Sequence, residues 1–212
     1  MCVWFRYPPC DTRDYMERIT GDDKRRNLVI SFAQFRPEKR HELQLRIWKQ
    51  VIEMESTPKN SQFTMIGTVR GAADQAIVDD LKKQIKELGL ESSVSFEVNA
   101  PRDRLFELFA EAKVAMHTMA FEHFGIALVE LMSSGIITVA HKSAGPLEDI
   151  IGAAPNGVGY LADSKDSYAV LVGRALSNFD DETHRLMRTR AKEWVKDQFG
   201  LDAFDSKFVK QM

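Results

Sequence analysis

Short apolar segments alternate with amphipathic segments along most of this 212-residue chain. The apolar segments are rich in β-branched and aromatic residues and lack the polar alternation of a half-exposed strand, so they are typical of strands buried on both faces. Between them, apolar residues recur at helical spacing, as Leu43, Ile47 and Val51 do. This repeated β-α order predicts an α/β fold with a Rossmann-like, doubly wound parallel sheet.

The same patterns place the individual elements and the regions of the chain. Strands are expected at 27–33, 62–67, 93–98, 113–117, 136–140 and 157–161. Helices are expected at 40–55, 74–88, 102–112, 124–133, 166–178 and 181–198, with a short helical turn after Gly145-Pro146. We divide the chain into a lead-in at 1–26, which Pro8-Pro9 favours as extended, a doubly wound domain at 27–180 and C-terminal helices at 181–212.

Composition disfavours several classes of function. Apolar residues make up 44% of the chain and charged residues 28%, which predicts a folded core rather than disorder. A net charge of −2 without a long basic run disfavours nucleic acid as the main partner. The two cysteines, Cys2 and Cys10, provide neither a disulfide framework nor a metal-ligand set and fit a reducing compartment. No apolar stretch approaches the roughly 18 residues of a membrane span, so we expect the chain as given to be soluble.

The segment from Glu122 to Leu131 is the most informative motif. It places two glutamates eight positions apart around a His-Phe-Gly turn, and a helix is expected to begin at that turn. Backbone N–H groups at a helix N-terminus suit a phosphate, carboxylates suit sugar hydroxyls, and Gly125 lets a ligand approach the backbone. Glu122 alone is also explained as an acid near a helix N-terminus, where the helix dipole stabilises a negative charge. Glu130, however, lies in an apolar run, where a carboxylate without a partner is costly. The motif therefore predicts a nucleotide-sugar site.

A basic loop follows the first predicted strand. Arg36, Lys39 and Arg40 cluster around Pro37, which stiffens the loop, where an anion could arrive. A charge-assisted hydrogen bond to a phosphate is worth roughly 1.5–3 kcal/mol. The alternative is a solvated basic turn without a ligand.

Other patterns in the chain have weaker interpretations. Residues 157–162 match the dinucleotide string G-x-G-x-x-A but do not lie between an opening strand and a long helix, so we expect a turn before an edge strand. His117 and His141 end predicted strands, and either a ligand contact or a structural hydrogen bond would account for each. Residues 180–182 are interpreted as the acidic start of the last long helix. The sequence has no Asp-x-Asp and no His-x-x-x-His, so no metal is expected.

With these residues in view, the chain resembles the retaining glycosyltransferases of family 4, which have the two-domain GT-B fold. Glu122 to Glu130 is similar to the E-x7-E pattern of that family, and Ser143–Glu148 and Asn156-Gly157 resemble two landmarks downstream of it. Further segments are similar to the family branch that transfers mannose in α-1,2 linkage: Tyr7–Cys10, Gln34–Lys39, His117–Met119, Glu122–Ile126 and Ala140-His141. The similarity covers nearly the whole chain.

The resemblance implies the C-terminal, donor-binding half of a GT-B enzyme, with 1–26 leading in from a missing N-terminal acceptor domain. The implied donor is GDP-mannose and the implied acceptor is a dolichol-diphosphate-linked oligosaccharide, at the cytosolic face of the endoplasmic reticulum membrane. No cofactor, metal or nucleic acid is implied, and the half-enzyme alone is expected to transfer little. The alternatives are another family 4 enzyme with a different donor or acceptor, and a non-catalytic nucleotide-binding module.

The resemblance also implies roles for single residues. Glu130 would hold the ribose hydroxyls, Glu122 would face the mannose, and Lys39 would pair with the diphosphate. The backbone of the turn would meet the sugar and the diphosphate, at His123, Phe124, Gly125 and Ile126. Many members have an arginine at the position of Gln34, and Arg36 is expected to replace it. The implied catalytic residues are thus Glu122, Arg36 and Lys39.

Overall fold

The fold of the chain is seen in a computed structural model that describes residues 7–209, with side chains through residue 206. Cys2, one of the two cysteines considered above, lies outside the described residues. Six strands form one sheet: β1 Arg26–Phe32, β2 Gln62–Gly67, β3 Val94–Val98, β4 Ala112–His117, β5 Ile137–His141 and β6 Tyr160–Ala162. Every neighbouring pair is parallel, and the strand order is β3-β2-β1-β4-β5-β6. The predicted Rossmann-like, doubly wound fold is confirmed.

Helices connect the strands and cover both faces of the sheet. They are α1 Thr12–Arg18, α2 His41–Ile52, α3 Ala72–Glu87, α4 Arg102–Glu111, α5 Ile126–Ser133, α6 Lys165–Ser177, α7 Glu182–Phe199 and α8 Leu201–Val209. A 3₁₀ turn at Pro37–Lys39 and a π-helical turn at Pro146–Ile150 complete the elements. Within residues 7–209, we find no helix with the length and apolar character that a bilayer crossing requires.

The core lies on both sides of the sheet because consecutive strand residues point to opposite faces. In β1, Val29 packs with α2, α3 and α6, whereas Leu28 and Ile30 pack with α4 and with Leu131 of α5. All three β1 residues have 0% exposure. This two-sided burial explains the near-continuous apolar run that predicted the strand.

The order of the strands reverses between β1 and β4. Val29 of β1 pairs with Phe63 of β2 on one side and with Val114 of β4 on the other. In a doubly wound sheet, such a switch point leaves a crevice outside the carboxyl ends of the two strands, and ligands bind there. The loop after β1 and the loop after β4 therefore meet at the position where a ligand is expected.

The N-terminal segment differs from the extended lead-in that Pro8-Pro9 suggested. Asp11 caps α1 by accepting a hydrogen bond from the Asp14 amide at 3.2 Å. The Cys10 amide donates to the Phe199 carbonyl at 2.9 Å, and Ile19 is buried. A helix this short depends on tertiary packing rather than on its own propensity, so the local pattern did not reveal it.

Candidate functional site

A cavity of about 350 Å³ lies outside the carboxyl ends of β1, β2 and β4. It is lined by Phe32, Ala33, Gln34, Lys39, Ile66, Gly67, Thr68, Arg70, Ala100, Leu105, His117, Ile126, Ala127 and Glu130. We call it the rim cavity. It contains residues from the loop after β1 and from the start of α5, which are the two segments that the sequence predicted to bind a ligand.

Glu122 forms a compact charged cluster with two residues of the rim cavity. Its Oε2 lies 2.7 Å from the Lys39 Nζ and 3.3 Å from the His117 Nε2. The three side chains are only 15%, 17% and 4% exposed, in the order Glu122, Lys39 and His117. His117 and then Lys39 lower the pKa of Glu122 from 4.5 to about 2, against the opposing effect of burial. The carboxylate is therefore ionised throughout the physiological pH range.

Buried polar residues fix the backbone of Lys39. The Thr118 hydroxyl donates to the Lys39 carbonyl at 2.8 Å, and the Gln44 amide donates to the Thr118 hydroxyl at 2.9 Å. Gln44 and Thr118 are each 1% exposed. The Lys39 ammonium also lies 3.0 Å from the Met119 sulfur. The loop after β4 thus holds the lysine on the loop after β1, a contact that sequence analysis did not find.

The start of α5 offers free backbone donors to the rim cavity. Gly125 precedes the helix with φ 106° and ψ 57°, and no side chain among residues 7–206 caps this N-terminus. Such a left-handed backbone favours glycine, which explains why the helix begins at Ile126 rather than at Phe124 as predicted. Uncapped N-terminal amides and the helix dipole together favour an anion. Ile126 lines the cavity and is 42% exposed.

A close contact with Gly145 shapes the turn before α5. The Gly145 amide donates to the Glu122 carbonyl at 2.9 Å. A Cβ at position 145 would lie 2.5 Å from the Phe124 carbonyl oxygen, so only glycine fits without a shift of the backbone. The Phe124 ring stacks on Tyr7 with centroids 5.1 Å apart, and His123 is exposed. Neither of these two side chains lines the rim cavity, and the predicted role of their backbone stays a prediction.

Glu130 lines the rim cavity but has different surroundings from Glu122. Its Oε1 accepts a hydrogen bond from the Tyr15 hydroxyl at 2.8 Å. Burial raises the pKa of Glu130, and the Tyr15 hydrogen bond and the charge of Arg102 oppose that shift. The partner of this half-buried carboxylate is thus a protein hydroxyl on α1. Sequence analysis missed Tyr15 because 115 residues separate the pair and no local pattern connects them.

The structure does not bring Arg36 into this site. Arg36 lines a separate cavity of about 580 Å³ between α2 and α3, whereas Gln34 lines the rim cavity. The Arg36 amide donates to the Gln34 carbonyl at 2.9 Å, and the chain turns tightly at the buried Phe35 between them. This turn directs the two side chains to different places. The structure thus places Arg36 away from the rim cavity, and the catalytic role that the resemblance implied for it stays a prediction that we leave out of the proposed catalytic set.

The remaining patterns have structural explanations. The His141 Nδ1 lies 2.8 Å from the Ser143 hydroxyl, which also accepts the Phe121 amide, so this histidine holds a loop. Asp181 caps α7 by accepting from the His184 amide at 2.8 Å. The G-x-G-x-x-A string leads into the edge strand β6, as predicted. Within residues 7–209, no group of three or more His, Cys, Asp or Glu side chains is arranged to hold a metal ion.

Comparison with known proteins gives one family. The sequence model described as "Glycosyl transferases group 1" matches residues 12–194. The chain is 38% identical over 210 residues to a Dictyostelium discoideum protein named GDP-Man:Man(3)GlcNAc(2)-PP-Dol alpha-1,2-mannosyltransferase, covering 96% of this chain and 41% of that protein. The human protein of the same name is 36% identical over 181 residues, covering 83% of this chain and 37% of its own length. The chain thus spans about two fifths of these relatives.

Solved glycosyltransferase structures share the fold. The crystal structure of Anabaena HepE in complex with UDP and glucose superposes with a TM-score of 0.74 at 21% identity, covering 97% of this chain and 55% of that one. Sucrose-phosphate synthase from Thermosynechococcus elongatus gives a TM-score of 0.73 at 21% identity, covering 97% and 48%. In each case the match is to about half of the larger chain.

Proposed function

Because the chain belongs to the group 1 glycosyltransferases, we propose that it is the donor-binding half of an α-1,2-mannosyltransferase. The proposed donor is GDP-mannose and the proposed acceptor is a dolichol-linked oligosaccharide, which are the substrates named for its relatives at 31–39% identity. The acceptor domain would come from outside this chain, since the chain spans about two fifths of those relatives. Action at the cytosolic face of the endoplasmic reticulum membrane is part of the proposal.

One observation carries this proposal. Lys39, Glu130 and the uncapped start of α5 line one cavity at the switch point of the sheet, and Glu122 is joined to that cavity through Lys39 and His117. A nucleoside diphosphate has chemical groups that match each of these residues. The ammonium and the helix amides suit the diphosphate, Glu130 suits the ribose hydroxyls, and the apolar wall that includes Leu105 suits the base.

The charges support a mechanism in which the sugar–phosphate bond breaks before the new bond is complete. Negative charge would then build on the departing diphosphate, where Lys39 and the α5 amides can stabilise it without reorganisation. Glu122 carries a full negative charge at neutral pH, because its pKa is lowered to about 2, so it cannot serve as a general acid. It would instead stabilise positive charge on the mannose and bind its hydroxyls. We propose no metal in this reaction.

Calorimetric titration of the purified chain tests the proposal. GDP and GDP-mannose should bind, and UDP should bind more weakly. Glu130→Ala should lower the affinity for GDP about tenfold or more, since hydrogen bonds to a carboxylate are worth roughly 1.5–3 kcal/mol. The matched control is Glu87→Ala, which changes an exposed glutamate at the end of α3. A chain that binds no nucleotide would point to a non-catalytic module, and a preference for UDP to another donor class.

A further inference from the structure

We infer that His117 is a positioning residue that holds Glu122 in place when Lys39 turns from Glu122 to the diphosphate of the donor. The inference rests on the proposed function and adds to it a residue that the family motif does not include. It concerns a change of partner for one oxygen atom, the Oε2 of Glu122.

The observation behind it is an unpartnered atom. His117 is 4% exposed and lines the rim cavity, and its Nε2 makes no hydrogen bond with any residue between 7 and 209. Yet this nitrogen lies only 3.3 Å from the Glu122 Oε2. Buried polar atoms in native proteins almost always have a partner, so this one is explained best by a bond that forms in another state. The distance already fits a hydrogen bond, and only the alignment is missing.

Lys39 supplies the reason for a second state. Its ammonium lies 2.7 Å from the Glu122 Oε2. A diphosphate carries more negative charge than one carboxylate and would draw the ammonium away. Glu122 is only 15% exposed, and a largely buried carboxylate that loses its cation is strongly unfavourable. Some other donor must then hold the carboxylate in its place beside the sugar.

His117 is suited to hold Glu122 because its backbone is fixed and its ring lies near the Glu122 Oε2. The Tyr168 hydroxyl donates to the His117 carbonyl at 2.8 Å, and His117 pairs with Ala140 in the sheet. A small rotation of the ring would therefore aim the Nε2–H at the oxygen that Lys39 leaves. The alternative is that His117 merely fills space behind Lys39.

A measurement without ligand separates the two explanations. In Lys39→Met, carbon-13 NMR should show that the pKa of Glu122 stays below its ordinary 4.5, because the His117 Nε2–H then turns to the Glu122 Oε2. In Lys39→Met/His117→Leu, the pKa of Glu122 should rise above 4.5, since burial alone remains. In Lys39→Met/His117→Gln, it should stay low, because the glutamine amide restores a donor. Equal pKa values in all three variants would overturn the inference.

A double-mutant cycle with GDP tests the exchange itself. His117→Leu should lower GDP affinity about fivefold in the native background and less than about twofold in a Glu122→Gln background, where no charge needs a new partner. The same loss in both backgrounds would overturn the inference alone. A chain that binds no GDP, while the pKa of Glu122 still depends on His117, would overturn the proposed function and with it the exchange at the diphosphate.

Discussion

The two glutamates of one motif, eight residues apart, lie in opposite electrostatic surroundings. Glu122 meets a lysine and a histidine, which lower its pKa to about 2. Glu130 meets a tyrosine hydroxyl, and burial raises its pKa. The difference comes from the elements that supply the partners. The loop after β1 supplies the Lys39 cation to Glu122, whereas α1 supplies the neutral Tyr15 hydroxyl to Glu130. Equal residue types at a fixed spacing thus acquire opposite pKa shifts from their surroundings.

Removal of the cation should break this contrast with the largest effect. Lys39→Met should lower GDP affinity by about 10- to 100-fold, because a charge-assisted hydrogen bond to the diphosphate is lost. Calorimetry measures this effect. Lys83→Met is the matched control, since Lys83 is an exposed residue of α3. An unchanged affinity in Lys39→Met would show that the diphosphate does not bind at Lys39.

Neutral substitutions should sharpen the contrast by changing stability in opposite directions. The folded-state pKa of Glu122 is lowered, so its stabilising contribution is present above about pH 4.5 and is lost as pH falls toward 2. The pKa of Glu130 is raised, so its charged form destabilises the fold above that pKa. At pH 7, Glu122→Gln should therefore cost on the order of 2 kcal/mol, and Glu130→Gln should raise the melting temperature. Thermal unfolding at pH 7 measures both variants.

The same unfolding experiment at low pH serves as the control for this pair. The loss of stability caused by Glu122→Gln should shrink below pH 4. At that pH, Glu122 of the unsubstituted chain is partly protonated in the unfolded state, so its charge contributes less to stability. The gain of Glu130→Gln should shrink as well, because the native Glu130 is then neutral when folded. Shifts of the same sign at pH 7 would contradict the contrast.

The smallest expected effect on GDP affinity comes from the loss of the Tyr15 hydroxyl. Tyr15→Phe removes the hydroxyl that donates to Glu130, so the pKa of Glu130 should rise further. We expect GDP affinity to fall about fivefold, which corresponds to the roughly 1 kcal/mol of one hydrogen bond. Tyr160→Phe is the control, since its hydroxyl lies 2.8 Å from the His184 Nε2 and Tyr160 does not line the rim cavity. A variant Tyr15→Phe with native affinity would show that Glu130 needs no help from α1.

The fold was predictable from sequence to a greater degree than the site. Two-sided burial produces apolar runs, and five of the predicted strands lie within a few residues of β1 to β5. The motif glutamates, Lys39 and the α5 turn also follow from local pattern. Tyr15 does not, because its contact with Glu130 spans 115 residues. The separation of Arg36 from the rim cavity does not follow either, because a tight turn at Phe35, rather than residue spacing, sets the direction of its side chain.

The hydroxyl contact of α1 has a practical consequence for how variants and expression fragments of this chain are judged. A fragment trimmed to Arg26, where the sheet begins, keeps Lys39, Glu122 and Glu130 but loses Tyr15 and the buried Ile19. It would fold less well and leave the Glu130 carboxylate without the Tyr15 hydroxyl that donates to it. Sequence changes in this first helix should therefore be screened for nucleotide affinity, although the helix lies more than a hundred positions from the motif that it supports.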